Sequence, residues 1–255
     1  MGNFVYTIDN GSLEPVSLTL NDNLFTHYVM ASCLSHGMLY EPESTDILLK
    51  VLKKGSTFVD VGAHIGWFSL IASRIVGESG LVYSFEPDRS NFSRFLEHIE
   101  ANKAENIVPI FMAVDSKPGR RNFHINLDND GGHALYDPGM FQCNEKTREH
   151  PKSAKVMATS LDSFFDHHSK VWPEIDLLKI DTEGAEVEVL EGAYGLLSQG
   201  KIHNILAEIN IPGLSQMGDT EAEMRELMDE LGYRAIDIGK TDNPNEIYNV
   251  LFTLN

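Results

Sequence analysis

Two neighbouring segments, TFVDVGAHIGWFS (residues 57–69) and LVYSFEPDRSNF (residues 81–92), constrain the fold more than any other feature of the sequence. The first is an apolar run that leads into a turn with Gly62 and Gly66 and then into an amphipathic stretch. The second is an apolar run that ends in an acid, Glu86, 20 residues after Gly66. Glycines that let the backbone approach a ligand, followed by a carboxylate that accepts ribose hydroxyls, are typical of a nucleoside-cofactor site.

The glycine spacing distinguishes between two cofactors. Nicotinamide and flavin sites use G-x-G-x-x-G, where a pyrophosphate meets a helix N-terminus. Here Gly62 and Gly66 instead have G-x-x-x-G spacing, and the acid Asp60 precedes them on the strand. That acid would repel a pyrophosphate but can face the cationic amino-acid end of S-adenosylmethionine. The pattern favours a methyltransferase, and it leaves open an oxidoreductase or a βα turn that binds nothing.

Composition narrows the class of protein and its partners. Of the 255 residues, 42% are hydrophobic and 23% charged, which is typical of a soluble globular domain. The net charge of −18 argues against nucleic acid and favours a small-molecule, glycan or peptide partner. Cys33 and Cys143 are predicted to be free thiols in a reducing compartment. Without a signal-peptide pattern or a run of ~20 apolar residues, we expect a cytoplasmic protein with no membrane partner, and a homodimer stays open.

Apolar periodicity predicts alternating strands and helices. The predicted strands are 57–61, 81–85, 107–112, 175–180, 203–209, 233–238 and 247–254, and the predicted helices are 45–53, 67–76, 89–101, 161–168, 184–197 and 219–231. This alternation implies crossover helices and a parallel sheet, and the last two strands should form a hairpin. The expected fold is α/β: a Rossmann-like seven-stranded sheet, mostly parallel, with a C-terminal antiparallel hairpin and helices on both faces.

The domain organisation follows from where the alternation of strands and helices is interrupted. Residues 1–43 are expected to form an N-terminal cap or strand extension, and residues 44–255 the cofactor-binding domain. Residues 115–155 lose the hydrophobic period and contain Gly131 and Gly132, so we expect an insertion there. Loops of this length in compact domains are usually functional or mobile. Its part 128–155 is predicted to be a lid over an acceptor pocket, with His133 and Tyr136 near the reacting atoms.

Three segments, FVDVGAHIGWFSLIASRIVGESGLVYSFEPDRSNF, LDSFF and LLKIDTEGAEVEVLEGA, together resemble the FkbM family of S-adenosylmethionine-dependent methyltransferases. The resemblance extends over about residues 41–208, and KIDTEGAEVEVLEGA is its most specific part. This chain has His64 where the family usually has Asn, and Thr182 where it usually has Val. The resemblance implies methyl transfer, mostly to oxygen and in some members to nitrogen, with polyketides, sugars and peptides among the acceptors.

The predicted cofactor site combines the strand ends with the family pattern. Glu86 should accept both ribose hydroxyls, and Asp60 should orient the turn. The full predicted set is Tyr40, Glu41, Thr45, Asp60, Gly62, Ala63, His64, Gly66, Glu86, Pro87, Ala113, Val114 and Asp181. Of these, Tyr40, Glu41 and Thr45 are implied by the resemblance. Ala113 and Val114 are expected to read the adenine edge through backbone N–H groups.

The predicted catalytic residues are Asp181, Glu183 and His133, with His124 as a second histidine candidate. Asp181 and Glu183 follow a strand at the edge where open α/β sheets bind ligands. Glu183 and Glu186 equally suit a helix N-terminus, where acids are favoured. Lys179 is expected to neutralise Asp181, and Glu208 and Asn210 to line the acceptor side. The spacing indicates no metal site, and a catalytically silent methyltransferase-fold binding protein stays open as an alternative.

Overall fold

The strands and helices alternate along the chain much as the periodicity predicts. The computed structural model describes residues 3–8 (backbone), 14–168, 171–241 and 247–255. The strands are β1 (Asn3–Ile8), β2 (Val16–Asn21), β3 (Thr57–Val61), β4 (Leu81–Phe85), β5 (Ile107–Ile110), β6 (Ala113–Val114), β7 (Gly119–Ile125), β8 (Lys152–Thr159), β9 (Leu177–Ile180), β10 (Asn204–Asn210), β11 (Tyr233–Ile238) and β12 (Ile247–Leu254). The helices are α1 (Phe25–Ser35), α2 (Pro42–Val51), α3 (Trp67–Val76), α4 (Arg89–Asn102), α5 (Glu145–Glu149), α6 (Leu161–His168), α7 (Glu186–Glu191), α8 (Tyr194–Ser198), α9 (Ile211–Met217) and α10 (Glu221–Glu230).

The main sheet has seven strands in the order β11-β12-β10-β9-β3-β4-β5. The strands from β10 to β5 are mutually parallel, whereas β12 runs antiparallel to both β10 and β11. The predicted α/β fold, with its mostly parallel sheet and C-terminal antiparallel hairpin, is confirmed. Because β3, β4, β9 and β10 are parallel, their carboxyl ends meet at one edge of the sheet.

Alternate side chains of the central strands enter two apolar layers. In β3, Phe58 packs with α2, α3 and α4, whereas Val59 packs on the opposite face with α6, α7 and α10. The parallel strands are buried on both faces and are therefore nearly continuous runs of apolar residues. The helices cover both faces of the sheet, as predicted.

The insertion is more regular than the sequence suggests. The predicted strand 107–112 ends at Ile110, and the chain then forms a second, three-stranded sheet in the order β6-β8-β7. This sheet contains the two ends of the predicted unpatterned segment, because β7 (Gly119–Ile125) pairs antiparallel with β8 (Lys152–Thr159). The predicted helix 184–197 is also wrong in detail, since it is divided into α7 and α8 at Gly192 and Ala193. A Cβ at Gly192 would lie 2.3 Å from the Asp115 carbonyl oxygen, so this bend allows the two segments to pack.

The N-terminal segment packs on the same core as the sheet. β1 and β2 pair antiparallel, and Leu18 of β2 and Met30 of α1 join the apolar layer that contains Phe58. The edge of β2 is bonded to α4, where Asn102 Oδ1 accepts from the Ser17 N–H at 2.8 Å. The division of the chain at residue 43 stays a prediction. None of the described helices is long and apolar enough to cross a membrane.

Candidate active site

A cleft opens at the carboxyl edge of the sheet, above the ends of β3, β4, β9 and β10. Most of the predicted site residues line it: Tyr40, Glu41, Gly62, Ala63, His64, Glu86, Pro87, Ala113, Val114, His133, Asp181 and Glu183. Lys179 and Glu208 line it as well. The side chains of Tyr136, Glu186 and Asn210 and the strand residue His124 are outside this lining set. The cleft therefore brings together residues from both halves of the sheet and from the insertion.

The turn after β3 is shaped by its two glycines. Gly62 has φ +88°, and a Cβ there would lie 1.8 Å from the Asp181 carbonyl oxygen. Gly66 has φ +90° and lies against Phe95, whose ring a Cβ would approach to 2.2 Å. The backbone N–H groups of Gly62 and Ala63 both donate to the Phe85 carbonyl, at 3.0 and 2.9 Å. The glycines let β3, β4 and the loop after β9 approach more closely than side chains would permit.

Glu86 lies directly beneath this turn. Its Oε2 accepts from the His64 N–H at 2.8 Å and its Oε1 from the Asp88 N–H at 2.7 Å. His64 has φ +51°, in the left-handed region that a non-glycine residue rarely adopts. Glu86 is 5% exposed, and burial raises its pKa to about 8. In the ionised form, each carboxylate oxygen accepts one backbone N–H and keeps a second acceptor position.

Three predicted cofactor residues do not line the cleft but lie behind it. Asp60 is 1% exposed, and its Oδ2 accepts from Ser69 Oγ at 2.5 Å. Thr45 donates its hydroxyl to the Tyr40 carbonyl at 3.3 Å, and Gly66 packs on α4 as described. These positions support lining residues. A direct contact with a ligand stays a prediction for all three.

Lys179 is the cation of the cleft and is 2% exposed. Its Nζ donates to Asp181 Oδ2 at 2.7 Å and lies 4.4 Å from the centre of the Phe68 ring. Burial by itself would lower the pKa of Lys179, but the carboxylates of Asp181, Glu41 and Asp60 hold it above its usual range. The ammonium is therefore charged and neutralises part of the surrounding acid, as the sequence predicts for Asp181.

A group of carboxylates lies beside Asp181 in the cleft. Glu183 has φ +58°, and its Oε2 accepts from Asn210 Nδ2 at 2.8 Å. Burial, together with the charges of Asp181 and Glu186, raises the pKa of Glu183 to about 8. The pKa of Glu208 is also raised well above its usual value by burial and neighbouring acids. Its Oε1 is buried with no hydrogen-bond partner among the described residues. Like charges in a partly desolvated site keep such carboxyls protonated at a higher pH than usual.

Glu186 lies in the first turn of α7, and its side chain bonds the loop before the helix, not the N–H groups of the helix itself. Its Oε1 accepts from the N–H groups of Thr182 and Gly184, at 3.1 and 2.9 Å, and from the Thr182 hydroxyl at 3.0 Å. The side chain is fully buried at the start of α7, and burial raises its pKa to about 7. Glu186 organises the loop that carries Glu183.

The sequence analysis missed the contribution of α1 and α4 to the cleft, and in the insertion it placed His133 and Tyr136 near the reacting atoms but not residues 129–131. Thr26, Asn91, Asn129, Asp130 and Gly131 all line it. Asp130 Oδ1 accepts from the Thr26 N–H at 2.8 Å, and Asp130 Oδ2 lies 3.1 Å from His64 Nε2. These residues are up to about a hundred positions apart, so periodicity carries no signal for their meeting. The run of Asn, Asp and Gly at 126–132 is the one feature that could have indicated a structured polar loop.

The fold also brings together two groups with metal-ligating side chains, which the linear spacing does not indicate. Candidate ligand atoms of Asp181, Glu183 and Glu208 lie within 4.8 Å of one another, as do those of His27, His64 and Asp130. Carboxylate oxygens suit hard cations such as Mg²⁺, and two histidines with a carboxylate suit transition metals. In the second group, His27 Nδ1 accepts from the Asn21 N–H at 3.1 Å, so its Nε2 carries the proton and cannot be a ligand in this arrangement.

The fold and the cleft together define the class of this protein as a Rossmann-like methyltransferase fold with its site at the carboxyl edge of the sheet. Residues 60–235, more than half of the chain, match the Methyltransferase FkbM domain. The chain therefore belongs to the FkbM methyltransferase family.

Individual relatives are more distant. The hexuronic acid methyltransferase AglP of Haloferax volcanii is 24% identical over 171 residues, which cover 67% of this chain and 62% of that protein. The chain thus spans less than two thirds of that relative. Methyltransferase FkbM from Methylobacillus flagellatus superimposes with a TM-score of 0.50 and 13% identity, over 82% of this chain and 50% of that one. A precorrin-6y C5,15-methyltransferase from Geobacter metallireducens gives a TM-score of 0.50 and 12% identity over 98% of both chains. At these identities the two structures show the fold alone.

Proposed function

We propose that this protein is an S-adenosylmethionine-dependent methyltransferase that transfers a methyl group to an oxygen, or an amide nitrogen, of a small molecule, glycan or peptide. The observation that carries the proposal is the composition of one cleft. The Gly62–Gly66 turn and Glu86 belong to it, and so does Glu183, a carboxylate with a pKa of about 8. A nucleoside site and a potential base are thus in the same cavity.

The residues around this turn fit the cofactor. Glu86 keeps one acceptor position on each oxygen, which suits the two vicinal hydroxyls of ribose. Ala113 and Val114 form the adjoining wall, where backbone groups would contact adenine. Asp181 and Glu41 face Lys179 and would contact the cationic methionine end. The acid Asp60, at the end of β3, disfavours a pyrophosphate cofactor at this turn.

Beside Glu183, this chain would orient and deprotonate the acceptor. When bound, S-adenosylmethionine supplies an electrophilic methyl group on a good leaving group, so in-line positioning provides much of the rate. In its ionised form, which predominates above about pH 8, the Glu183 carboxylate would accept the proton from the attacking hydroxyl, and Asn210 would hold that carboxylate in place. His133 lines the same cleft and is the alternative base. Leu135 and Phe123 would exclude water.

Glycans are the acceptors to test first. The name of the Haloferax volcanii relative includes a hexuronic acid, and a carboxylate such as that of Glu208, which lines the cleft, suits sugar hydroxyls. The corresponding roles are secondary metabolism or glycan modification. Cytoplasmic location and a homodimer belong to the same proposal. A catalytically silent binding protein stays the alternative, and family membership weighs against an oxidoreductase.

Calorimetry and a methyl-transfer assay together test this function. We expect micromolar binding of S-adenosylmethionine and of S-adenosylhomocysteine, and no binding of NAD. A panel of neutral sugars, uronic acids, hydroxylated small molecules and peptides is then incubated with methyl-labelled S-adenosylmethionine. Failure to bind either sulfur ligand would reject the proposal. Binding without transfer to any acceptor class would favour the silent binding protein.

A further inference from the structure

One residue of the insertion, Asp130, is held by three other parts of the chain. Its Oδ1 accepts from the Thr26 N–H at 2.8 Å, and its Oδ2 lies 3.1 Å from His64 Nε2. Its backbone carbonyl accepts from Asn91 Nδ2 at 3.0 Å. The side chain is 9% exposed. The start of α1, the turn after β3 and the first turn of α4 therefore converge on this residue.

The neighbours of Asp130 make the arrangement specific. Asn129 Oδ1 accepts from the Thr26 hydroxyl at 2.8 Å and from the Gly131 N–H at 3.0 Å. A Cβ at Gly131 would lie 2.7 Å from Thr26 Oγ1, so the loop lies directly on α1. Asp130 consequently has little freedom to move away from His64.

His64 connects Asp130 to the predicted ribose-binding acid. Its ring faces Asp130, while its backbone N–H donates to Glu86 Oε2 at 2.8 Å. The left-handed conformation of His64, with φ +51°, is unfavourable for a residue with a Cβ. Bonds at both the ring and the N–H stabilise it. Losing the ring contact would release the turn that places the N–H on Glu86.

We propose that Asp130 is a positioning residue for the cofactor: it holds His64, and through His64 the Gly62–Gly66 turn and Glu86, in the binding geometry. This inference rests on the proposed function and assigns the insertion a role on the cofactor side of the cleft. Asp130 acts through His64 and takes no part in the methyl transfer itself.

A divalent cation shared by His27, His64 and Asp130 is a weaker interpretation of the same cluster. The Asn21 N–H bond to His27 Nδ1 leaves the proton on His27 Nε2, which lies 3.6 Å from Asp130 Oδ2. A metal would need the lone pair of that nitrogen, which has no hydrogen-bond partner among the described residues, so the bond that joins this group is the one between His64 and Asp130.

The test compares Asp130→Asn with the wild type by calorimetry with S-adenosylhomocysteine and by steady-state kinetics. We expect the affinity of Asp130→Asn for S-adenosylhomocysteine to fall about five- to tenfold, because a charge-assisted bond that orders the site is lost. The KM for S-adenosylmethionine should rise by a similar factor, with kcat and the KM for the acceptor unchanged. Asp137→Asn is the matched control, since Asp137 is exposed in the same insertion and its Oδ1 accepts from the Gly139 N–H at 2.9 Å. It should leave all these values unchanged.

His64→Asn provides a second, independent variant, because Asn tolerates the left-handed conformation but cannot reach Asp130 in the same way. It should weaken binding by a similar factor, and the double variant should be no weaker than either single variant if the two residues act as one unit. The inference would be overturned if both single variants bound S-adenosylhomocysteine with wild-type affinity, or if their losses of affinity were additive in the double variant. It would also be overturned if EDTA weakened binding by the wild type. A wild type that binds no S-adenosylhomocysteine would instead overturn the proposed function, and this inference with it.

Discussion

Asn210, at the end of β10, donates a hydrogen bond of 2.8 Å to Glu183 in the loop after β9. Glu183 itself adopts φ +58°. A residue with a Cβ in this conformation needs support from its surroundings. The bond joins two neighbouring strand ends and fixes the carboxylate in the cleft that Glu86 also lines. That relationship makes Glu183 the first residue to test for catalysis.

Replacing Glu183 by Gln should remove the base while preserving the bond to Asn210. We expect kcat to fall by roughly 10²–10⁴-fold, the range associated with general base catalysis. The affinity for S-adenosylhomocysteine should stay near the wild-type value. Initial rates with an acceptor from the panel, together with calorimetry, measure both quantities. Glu191→Gln, at an exposed position of α7, is the control. An unchanged kcat in Glu183→Gln would shift the assignment to His133.

The free energy of unfolding should decrease as the pH rises, because the buried carboxyl group of Glu186 favours its protonated form. Burial raises its folded-state pKa to about 7, against 4.5 as the ordinary value. Between these two values the folded state binds more protons than the unfolded state. The stabilising contribution is therefore fully present below about pH 4.5 and is lost as the pH rises through about 7.

Urea unfolding of the ligand-free protein at several values between about pH 5 and pH 8 measures this dependence. Glu186→Gln keeps an oxygen for Thr182 and Gly184 and should flatten the slope by up to about 1.4 kcal/mol per pH unit. Glu226→Gln, an exposed change on α10, should retain the wild-type slope. Equal slopes in all three proteins would contradict the burial-based pKa.

Glu86 should contribute both to cofactor affinity and to the stability of the folded protein. Glu86→Ala is expected to weaken S-adenosylmethionine binding by roughly 1.5–3 kcal/mol, the scale of lost charge-assisted hydrogen bonds. It also leaves the N–H groups of His64 and Asp88 without their acceptor and should lower the free energy of unfolding. Glu86→Gln keeps one acceptor oxygen and should retain more stability while still weakening binding. Calorimetry and urea unfolding separate the effects, and unchanged affinity in both variants would show that Glu86 does not contact the ribose.

Gly62 should tolerate no side chain. Gly62→Ala would place a Cβ 1.8 Å from the Asp181 carbonyl, so β3 and the loop after β9 would have to separate. Gly218→Ala is the matched control, because Gly218 has φ +94° and open space around it. The control should lose only about 1–2 kcal/mol for the left-handed backbone. Gly62→Ala should lose clearly more and also its ligand binding, as urea unfolding and calorimetry would show. Similar losses of unfolding free energy in the two variants would mean that the loop carrying Asp181 can move away from residue 62 at little cost.

The segment 128–155 is predicted to order further as a lid when ligands bind. Lys146 and Arg148 have exposed side chains in the short helix α5 and are the trypsin sites to follow there. Cleavage at these sites should slow on addition of S-adenosylhomocysteine and acceptor, because closure protects the backbone. Cleavage after the exposed Lys54 serves as the internal control. Equal cleavage rates with and without ligands would contradict the lid.

The sequence by itself determined the sheet and half of the cleft. The strands β3, β4 and β9 are short apolar runs between helical periods, and their order along the chain dictates a parallel sheet. Glu86 and Asp181 follow such strands directly, so their place at the carboxyl edge follows from local pattern and topology. The family resemblance covers the same segments, because those are the parts whose chemistry is carried by neighbouring residues.

Only the tertiary structure decided the other half of the cleft. Asp130, His64 and Thr26 meet through side-chain hydrogen bonds between distant segments, and no periodicity records such contacts. The second sheet escaped prediction for a related reason. Strand β8 begins with four exposed residues, so its pattern lacks the apolar alternation of a half-buried strand, and the pairing with β7 supplies the order instead. The raised pKa of Glu183 likewise depends on burial and on how the fold holds the acids Asp181 and Glu186 around it, and therefore belongs to the folded state alone.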